Sequence, residues 1–278
     1  MEAQILGAAW AAVRSVSPLV HCITNYVTAN DCANVLLACG ASPVMADAPE
    51  EAEEITQAAS GLCLNMGTFS SRALESMLAS GRCAARRGIP VLLDPVGVGA
   101  SAFRTAAAHR LCDGVKLTAV RGNASEMKTL LLGGSKRRGV DAQTSDAVAP
   151  DALTQAGEFV RSCARQLGCV AVVTGAVDIV SDGTRVCAVR NGHPMMARVT
   201  GTGCMLSALM TACLAANPGR AFEACAAALC AAGLAGQTAA EHVRKENSGT
   251  GSFRVHFIDA LSRMDETMLT GGACCEML

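Results

Sequence analysis

Three positions carry reactive groups in settings that need a reason. In VTGTGCMLSALM, Val199 to Met210, glycines and threonines lead to Cys204 and the chain passes at once into an apolar helical pattern. Gly201 and Gly203 let the backbone turn its N–H groups toward a ligand, and free amides at the positive end of a helix make an anion hole. The same turn could serve only as a helix cap. It is not a Walker A loop, since GxxxxGK[ST] occurs nowhere in the chain. Asp94 closes the apolar run of VLLDPVGVGAS, where a buried carboxylate needs a cation or hydrogen-bond donors; Asp-Pro is also a common loop opening. Glu126 follows Arg121-Gly122-Asn123 by three residues, where it could simply favour the start of a helix. Together, Asp94 and Glu126 could hold magnesium through water, as hard carboxylate oxygens do beside phosphates.

The elements that must position these groups alternate. PVMA, GLCLNMG, IPVLLDPVG, GVKLTAVRGN and CVAVVTG are short β-like runs separated by helical spacing, as in APEEAEEITQAAS, SSRALESMLASGRCAARRG and Thr144 to Gln166. This pattern predicts an α/β fold with a mostly parallel sheet and helices on both faces. Ligands in such sheets bind beyond the carboxyl ends of the strands. The run ends are Asn65 and Gly67; Asp94 and Gly97; Arg121, Gly122 and Asn123; Thr174 and Gly175; and TGTGC. In DGTRVCAVRNGHPMMARVTG, two β-like runs flank Asn191-Gly192, a pair that favours a tight hairpin and predicts an antiparallel extension there. Helices follow: one opened by VTGTGC, then Arg220 to Asn247 and Phe253 to Met268. Leu132 to Ala152 lacks periodicity and carries the basic cluster Lys136 to Arg138: a solvated loop, or one that approaches phosphate. One domain over 1–278 is expected, with a tail from about 269 to 278 that frays.

The chain is 51% hydrophobic but 3% aromatic, so Ala, Val, Leu, Met and Cys must fill the core. A formal charge of −1 with interleaved signs offers no broad field for nucleic acid or an anionic membrane. Cys204 to Gln237 is apolar but divided by NPGR, so neither half reaches the ~20 residues of a spanning helix. The fifteen cysteines are scattered through apolar segments behind no signal-like start, which points to reduced thiols in the cytoplasm. No CxxC or Cys/His cluster has zinc spacing, so no structural metal site is expected.

HCITNYVTAND, PVMADAPEE, LNMGT, DPVGVGAS, RGNASE, VVTGAVD and VTGTGC occur in this order. Together, from about Pro18 to Ala240, they make the chain closely resemble the hydroxyethylthiazole kinases, thiamine-salvage enzymes of the ribokinase-like superfamily. The resemblance implies a three-layer α/β/α sandwich. It also implies magnesium-dependent transfer of the ATP γ-phosphate to the hydroxyl of hydroxyethylthiazole, giving the thiazole phosphate later joined to a pyrimidine. By position, Arg121, Thr174 and Gly203 would bind ATP. Asn25, Met45 and Gly201 would line the thiazole site. The resemblance further implies a homotrimer with substrate sites at subunit boundaries.

Related ribokinase-like enzymes end the glycine turn with aspartate, placed to take the substrate proton; Cys204 occupies that position, as in hydroxyethylthiazole kinases. A free thiol titrates near pH ~8.5, and a helix N-terminus favours thiolate while ATP charge opposes it. Cys204 is therefore expected to orient the hydroxyl and receive its proton late, since a loose phosphoryl-transfer transition state needs little early deprotonation. Cys22, Cys32, Cys39, Cys63, Cys163, Cys169, Cys187, Cys213, Cys225 and Cys230 read as small buried hydrophobes. His21 and His193 read as satisfying loop carbonyls rather than touching substrate. The alternatives are a ribokinase-like kinase of another small alcohol, opposed by the cysteine in place of aspartate, and a nucleotide-binding regulator without turnover. A cysteine-nucleophile acyl transferase would need a matched histidine, which no motif supplies.

Overall fold

The computed structural model of the chain describes residues 1–132 and 150–278. In chain order the elements begin α1 (Ala3–Val16), β1 (Leu19–Ile23), α2 (Ala29–Cys39), β2 (Ser42–Met45), α3 (Ala52–Ala58), β3 (Gly61–Asn65), α4 (Ser71–Arg87) and β4 (Val91–Asp94). They continue with α5 (Ala102–Gly114), β5 (Ala119–Asn123), α6 (Ala124–Leu132), α7 (Pro150–Leu167), β6 (Val170–Thr174), β7 (Asp178–Ser181) and β8 (Val186–Val189). A 3-10 helix at Pro194–Arg198 precedes α8 (Thr202–Ala216), α9 (Ala221–Glu246), α10 (Thr250–Arg263), α11 (Glu266–Gly272) and β9 (Cys275–Met277).

The described strands form one sheet in the order β2-β1-β3-β4-β5-β6-β7-β8-β9. The six strands from β2 to β6 are parallel, and β7, β8 and β9 continue antiparallel. The period of two along each strand divides the core into two layers. Val20, Cys22, Cys63, Leu92, Ala119, Val170 and Val172 face a layer shared with α1, α2, α8, α9 and α10. Ile23, Leu62, Leu64, Val91, Leu93, Val120, Ala171 and Val173 face one shared with α4, α5, α6 and α7. The result is the expected three-layer α/β/α sandwich.

Small residues set the spacing of the first layer. α8 is buried on nearly every side, between the sheet and α9 and α2, so it is apolar all round rather than along one stripe. Gly233 of α9 meets the backbone of Asn191, where a Cβ would come within 2.5 Å of its carbonyl, and only glycine permits that approach.

Several expectations change. The antiparallel extension exists, but its hairpin turns at Asp182 to Arg185, not at Asn191-Gly192. Asp182 accepts bonds from the amides of Thr184 and Arg185 at 2.9 and 2.7 Å, and Gly183 supplies the positive φ of 89°. Asn191 is instead buried: its Nδ2 donates to Gln237 and to the Gly272 carbonyl, and its Oδ1 accepts from Cys274 N. The expected Phe253 to Met268 helix is two helices, because Asp265 caps Met268 N at 2.7 Å and Trp10 Nε1 takes the Met264 carbonyl at 3.0 Å. The expected fraying tail pairs with the sheet: β9 lies along β8, with Leu278 N bonded to Val186 O and Arg190 paired with Glu276. β1, absent from the β-like runs read above, lies second in the sheet. His21 within it is fully buried, with Nε2 2.7 Å from Ala46 O and Nδ1 2.9 Å from Thr56 of α3. Most of Leu132 to Ala152 lies outside the described residues.

Candidate active site

The same period of two that sorts the core sorts the polar strand ends. Two residues beyond Cys63, Leu92, Ala119 and Val172, all on the α8 face, come Asn65, Asp94, Arg121 and Thr174. Asn65 and Asp94 stand opposite each other in register. Beyond the strand ends, the first turn of α8 closes over them.

Asp94 is the centre of this group and is fully buried. Its Oδ2 accepts from Asn65 Nδ2 at 2.8 Å and from Ser207 Oγ, one turn into α8, at 2.7 Å. Its Oδ1 has no hydrogen-bond partner among the described residues, and Arg121 Nη1 lies 3.6 Å away. Burial pushes the Asp94 carboxyl up to about 6, with Glu126 adding to the rise while Arg121, Ser207 and Asn65 favour the carboxylate.

Arg121 reaches across from β5. Its Nη2 donates to Thr174 Oγ1 at 2.7 Å, and its guanidinium packs on Gly203, where a Cβ would come within 2.7 Å of Nη1. Gly201 caps α8 with a φ of 87° and abuts Thr28, leaving 2.5 Å between a hypothetical Cβ and Thr28 Cγ2. α8 has no side-chain cap, and the amides of Thr202, Gly203 and Cys204 meet no acceptor among the described residues.

Cys204 is half-buried in that first turn, and Asn25 Nδ2 approaches its sulfur at 3.4 Å. Asn25 Nδ2 also donates to Asn65 Oδ1 at 2.9 Å, so Cys204 is linked through Asn25 and Asn65 to Asp94. The tip of α8 does not yield a thiolate here. Burial raises the thiol above its usual range and the Asp94 charge raises it further, against hydrogen bonds from Thr28, Asn65 and Asn25.

Glu126 caps its own helix: Oε2 accepts from Asn123 N at 2.9 Å, and Asn123 Oδ1 accepts from Glu126 N. Its other oxygen accepts from Gly97 N at 3.0 Å, tying the loop after β4 to α6. Both readings of Glu126 thus meet in one side chain, a cap whose charge also acts on Asp94. Met45 stands apart, partly exposed at the end of edge strand β2 beside Cys22. His193 caps the 3-10 helix, its Nδ1 accepting from Met195 N at 3.2 Å.

A cavity of about 550 Å³ opens beside this cluster, lined by Arg121, Thr174, Thr202 and Gly203 and walled on the far side by Asn191, His193 and α9. Asp178 lines it too; burial raises its carboxyl to about 6, against the Gly175 amide and Arg121. Asp178 and Ser207 were not singled out from the sequence. Ser207 had a faint signal as a hydroxyl three residues past Cys204 in a mostly apolar helix, and Asp178 closes the VVTGAVD motif.

The chain resembles known proteins along most of its length. A family model described as the hydroxyethylthiazole kinase family matches residues 10–267. A hydroxyethylthiazole kinase of Clostridium acetobutylicum is 46% identical over 94% of this chain and 95% of its own. A solved hydroxyethylthiazole kinase structure from Pyrococcus horikoshii OT3 superimposes with a TM-score of 0.85 at 36% identity, covering 98% of each chain. A ribokinase-like superfamily protein of Enterococcus faecalis V583 shares the fold, with a TM-score of 0.56 at 13% identity over 89% of this chain and 87% of that one.

Proposed function

Because the chain belongs to the hydroxyethylthiazole kinase family, we propose that its chemistry takes place where β3, β4 and β5 meet the first turn of α8. The reaction itself is ATP-dependent phosphorylation of the hydroxyl of hydroxyethylthiazole, a step of thiamine salvage. The observation that carries the location is the run of contacts from Asp94 through Asn65 and Asn25 to Cys204, beside unpaired helix-tip amides.

ATP occupies the 550 Å³ cavity in this reading, with Arg121, Thr174 and the Gly203 amide toward its phosphates. A guanidinium and oriented amides suit charge that spreads over phosphoryl oxygens, and positioning of this kind supplies most of the rate. Asn25, Met45 and Gly201 hold the thiazole. The residues fit magnesium: Asp94 Oδ1 is a buried, hard oxygen with no hydrogen-bond partner, and Glu126 is near enough to act on it electrostatically. Asp94 and Glu126 would hold the ion, which when bound neutralises charge on the β- and γ-phosphates.

Cys204 orients the acceptor hydroxyl. Held protonated by burial and by Asp94, it is no strong base. It can take the alcohol proton only late, once the new P–O bond has formed, while passing its own proton to a phosphoryl oxygen.

The trimer that the family resemblance implies has support in Tyr26 and Val27, 78% and 63% exposed immediately after Asn25. Leu37 on α2 and Met45 on the edge strand are exposed apolar residues as well. A cytoplasmic location suits fifteen cysteines that form no disulfide among the described residues, where also no helix is long and apolar enough to cross a membrane.

Purified protein incubated with ATP, magnesium and hydroxyethylthiazole should form thiazole phosphate, followed by mass spectrometry. Product formed without nucleotide, or none with all three present, would defeat the mechanism.

A further inference from the structure

Outside the active site, the end of α9 and the middle of α10 bring together three side chains that the reaction does not use. His242 and Glu246 are one turn apart on α9, and His256 approaches from α10. One donor atom from each lies within 4.8 Å of the others. His256 Nε2 is 2.8 Å from Glu246 Oε2, and His242 Nδ1 is 3.9 Å from Glu246 Oε1. The two imidazoles stack, with centroids 4.9 Å apart and an interplanar angle of 21°.

A simple His256–Glu246 hydrogen bond accounts for one pair. It does not account for a second imidazole stacked on the first with its own nitrogen turned toward the other carboxylate oxygen. Around a tetrahedral ion with ligand distances of about 2.0–2.2 Å, donor atoms sit roughly 3.3 Å apart. The 2.8 Å separation runs to Oε2 of Glu246 and the 3.9 Å separation to Oε1, so to share one ion the imidazoles must turn out of their stack and the carboxylate must rotate between them, with donors that start within 4.8 Å of one another. Two imidazole nitrogens with one carboxylate oxygen favour the Zn²⁺ class over Mg²⁺ or Ca²⁺, which prefer all-oxygen sites.

We propose that His242, Glu246 and His256 form a surface site for a divalent transition metal of the Zn²⁺ class, with its remaining coordination open to water. The ion clips α10 to α9. α10 also carries Arg254, which pairs with Asp31 of α2, so the clip reinforces the helix layer behind the active site. Cys/His zinc spacing does not reveal this group, because one ligand is a glutamate and the third lies on another helix.

The test is a titration of chelator-treated, full-length protein with Co²⁺, followed by visible absorption and equilibrium dialysis, and repeated on His256→Ala and Glu246→Gln. The expected result is one Co²⁺ per chain with nitrogen and oxygen ligand-field bands, its affinity weakened roughly tenfold or more in each variant, since loss of even an outer-shell partner costs that much. Zn²⁺ should raise the melting temperature of the parent and not of the variants. His256 is half-buried; should its replacement unfold the protein, Glu246→Gln on an exposed side chain decides. Failure of the parent to bind one equivalent, or affinity undiminished in the folded variants, as when the absorption is that of cobalt thiolate, overturns the site.

Discussion

The guanidinium of Arg121 rests on Gly203 so closely that a Cβ at 203 would lie 2.7 Å from Nη1. The tip of α8 and a cation from β5 therefore share one small space beside the cavity.

Gly203→Ala should use that space against the enzyme. Gly203 is not among the positive-φ glycines, so alanine is conformationally acceptable and the fold should survive. The added methyl displaces Arg121 from Thr174, a bond of 2.7 Å. Steady-state kinetics should show KM for ATP raised about tenfold, or ~1.4 kcal/mol, the scale of one hydrogen bond to a charged group. An unchanged KM would remove Arg121 from nucleotide binding.

Asp94→Asn should separate stability from activity. The native carboxyl titrates at about 6 rather than 3.8, so the folded state binds its proton more tightly than the unfolded state. Its contribution to stability is greatest below the unfolded value and is lost as pH rises through about 6. The variant, with no charge to bury, should gain stability relative to the parent as pH rises from about 3.8 to about 6 and keep that gain at higher pH, read by denaturant titration at each pH. Its turnover should fall roughly 10²-fold or more, as for the loss of an electrostatic group at a reacting centre. A stability difference that ignores pH would mean that Asp94 does not carry the buried charge.

At Cys204, alanine and aspartate replacements ask different questions. With the thiol raised, the parent's kcat should show no thiolate step below its ordinary range. Cys204→Ala should retain measurable turnover, lower by roughly 10²-fold, the small end of proton-transfer effects. Cys204→Asp should exceed Cys204→Ala, and activity at or above the parent would show that the position matters rather than sulfur. Full activity in Cys204→Ala would end any proton role.

Val27→Asp places charge in the exposed apolar surface beside Asn25. Light scattering should show a homotrimer for the parent and smaller species for the variant. KM for the thiazole should rise while KM for ATP stays, because Val27 neighbours the proposed thiazole residues and not the cavity. A parent that runs as a monomer would refute the shared site.

Much of this fold was legible because period and punctuation agree. Runs such as VLLD and VAVVT end where their sequences turn polar, and the alternation along them sends Asp94 and Thr174 to the same face of the sheet. Local signals failed where tertiary partners overruled them. Asn191-Gly192 reads as a hairpin, yet the Asn191 side chain satisfies Gln237, Gly272 and Cys274 from distant parts of the chain. The Gly-containing tail from about 269 to 278 reads as one that frays, yet β8 offers Cys275 to Met277 an edge to pair with. The direction of the Cys204 shift was hidden for the same reason: a helix tip is visible in sequence, but the neighbouring buried carboxylate is a matter of packing.

The sheet also separates two populations of thiols that a reagent can tell apart. Cys163 is sealed in one layer and Cys213 in the other, while Cys274 is open to solvent. Under native conditions an alkylating agent modifies a sealed thiol only when its surroundings open. The ratio of rates at Cys163 and Cys213 would therefore time whether the two sides of the molecule breathe together or one at a time, without any label having to be introduced.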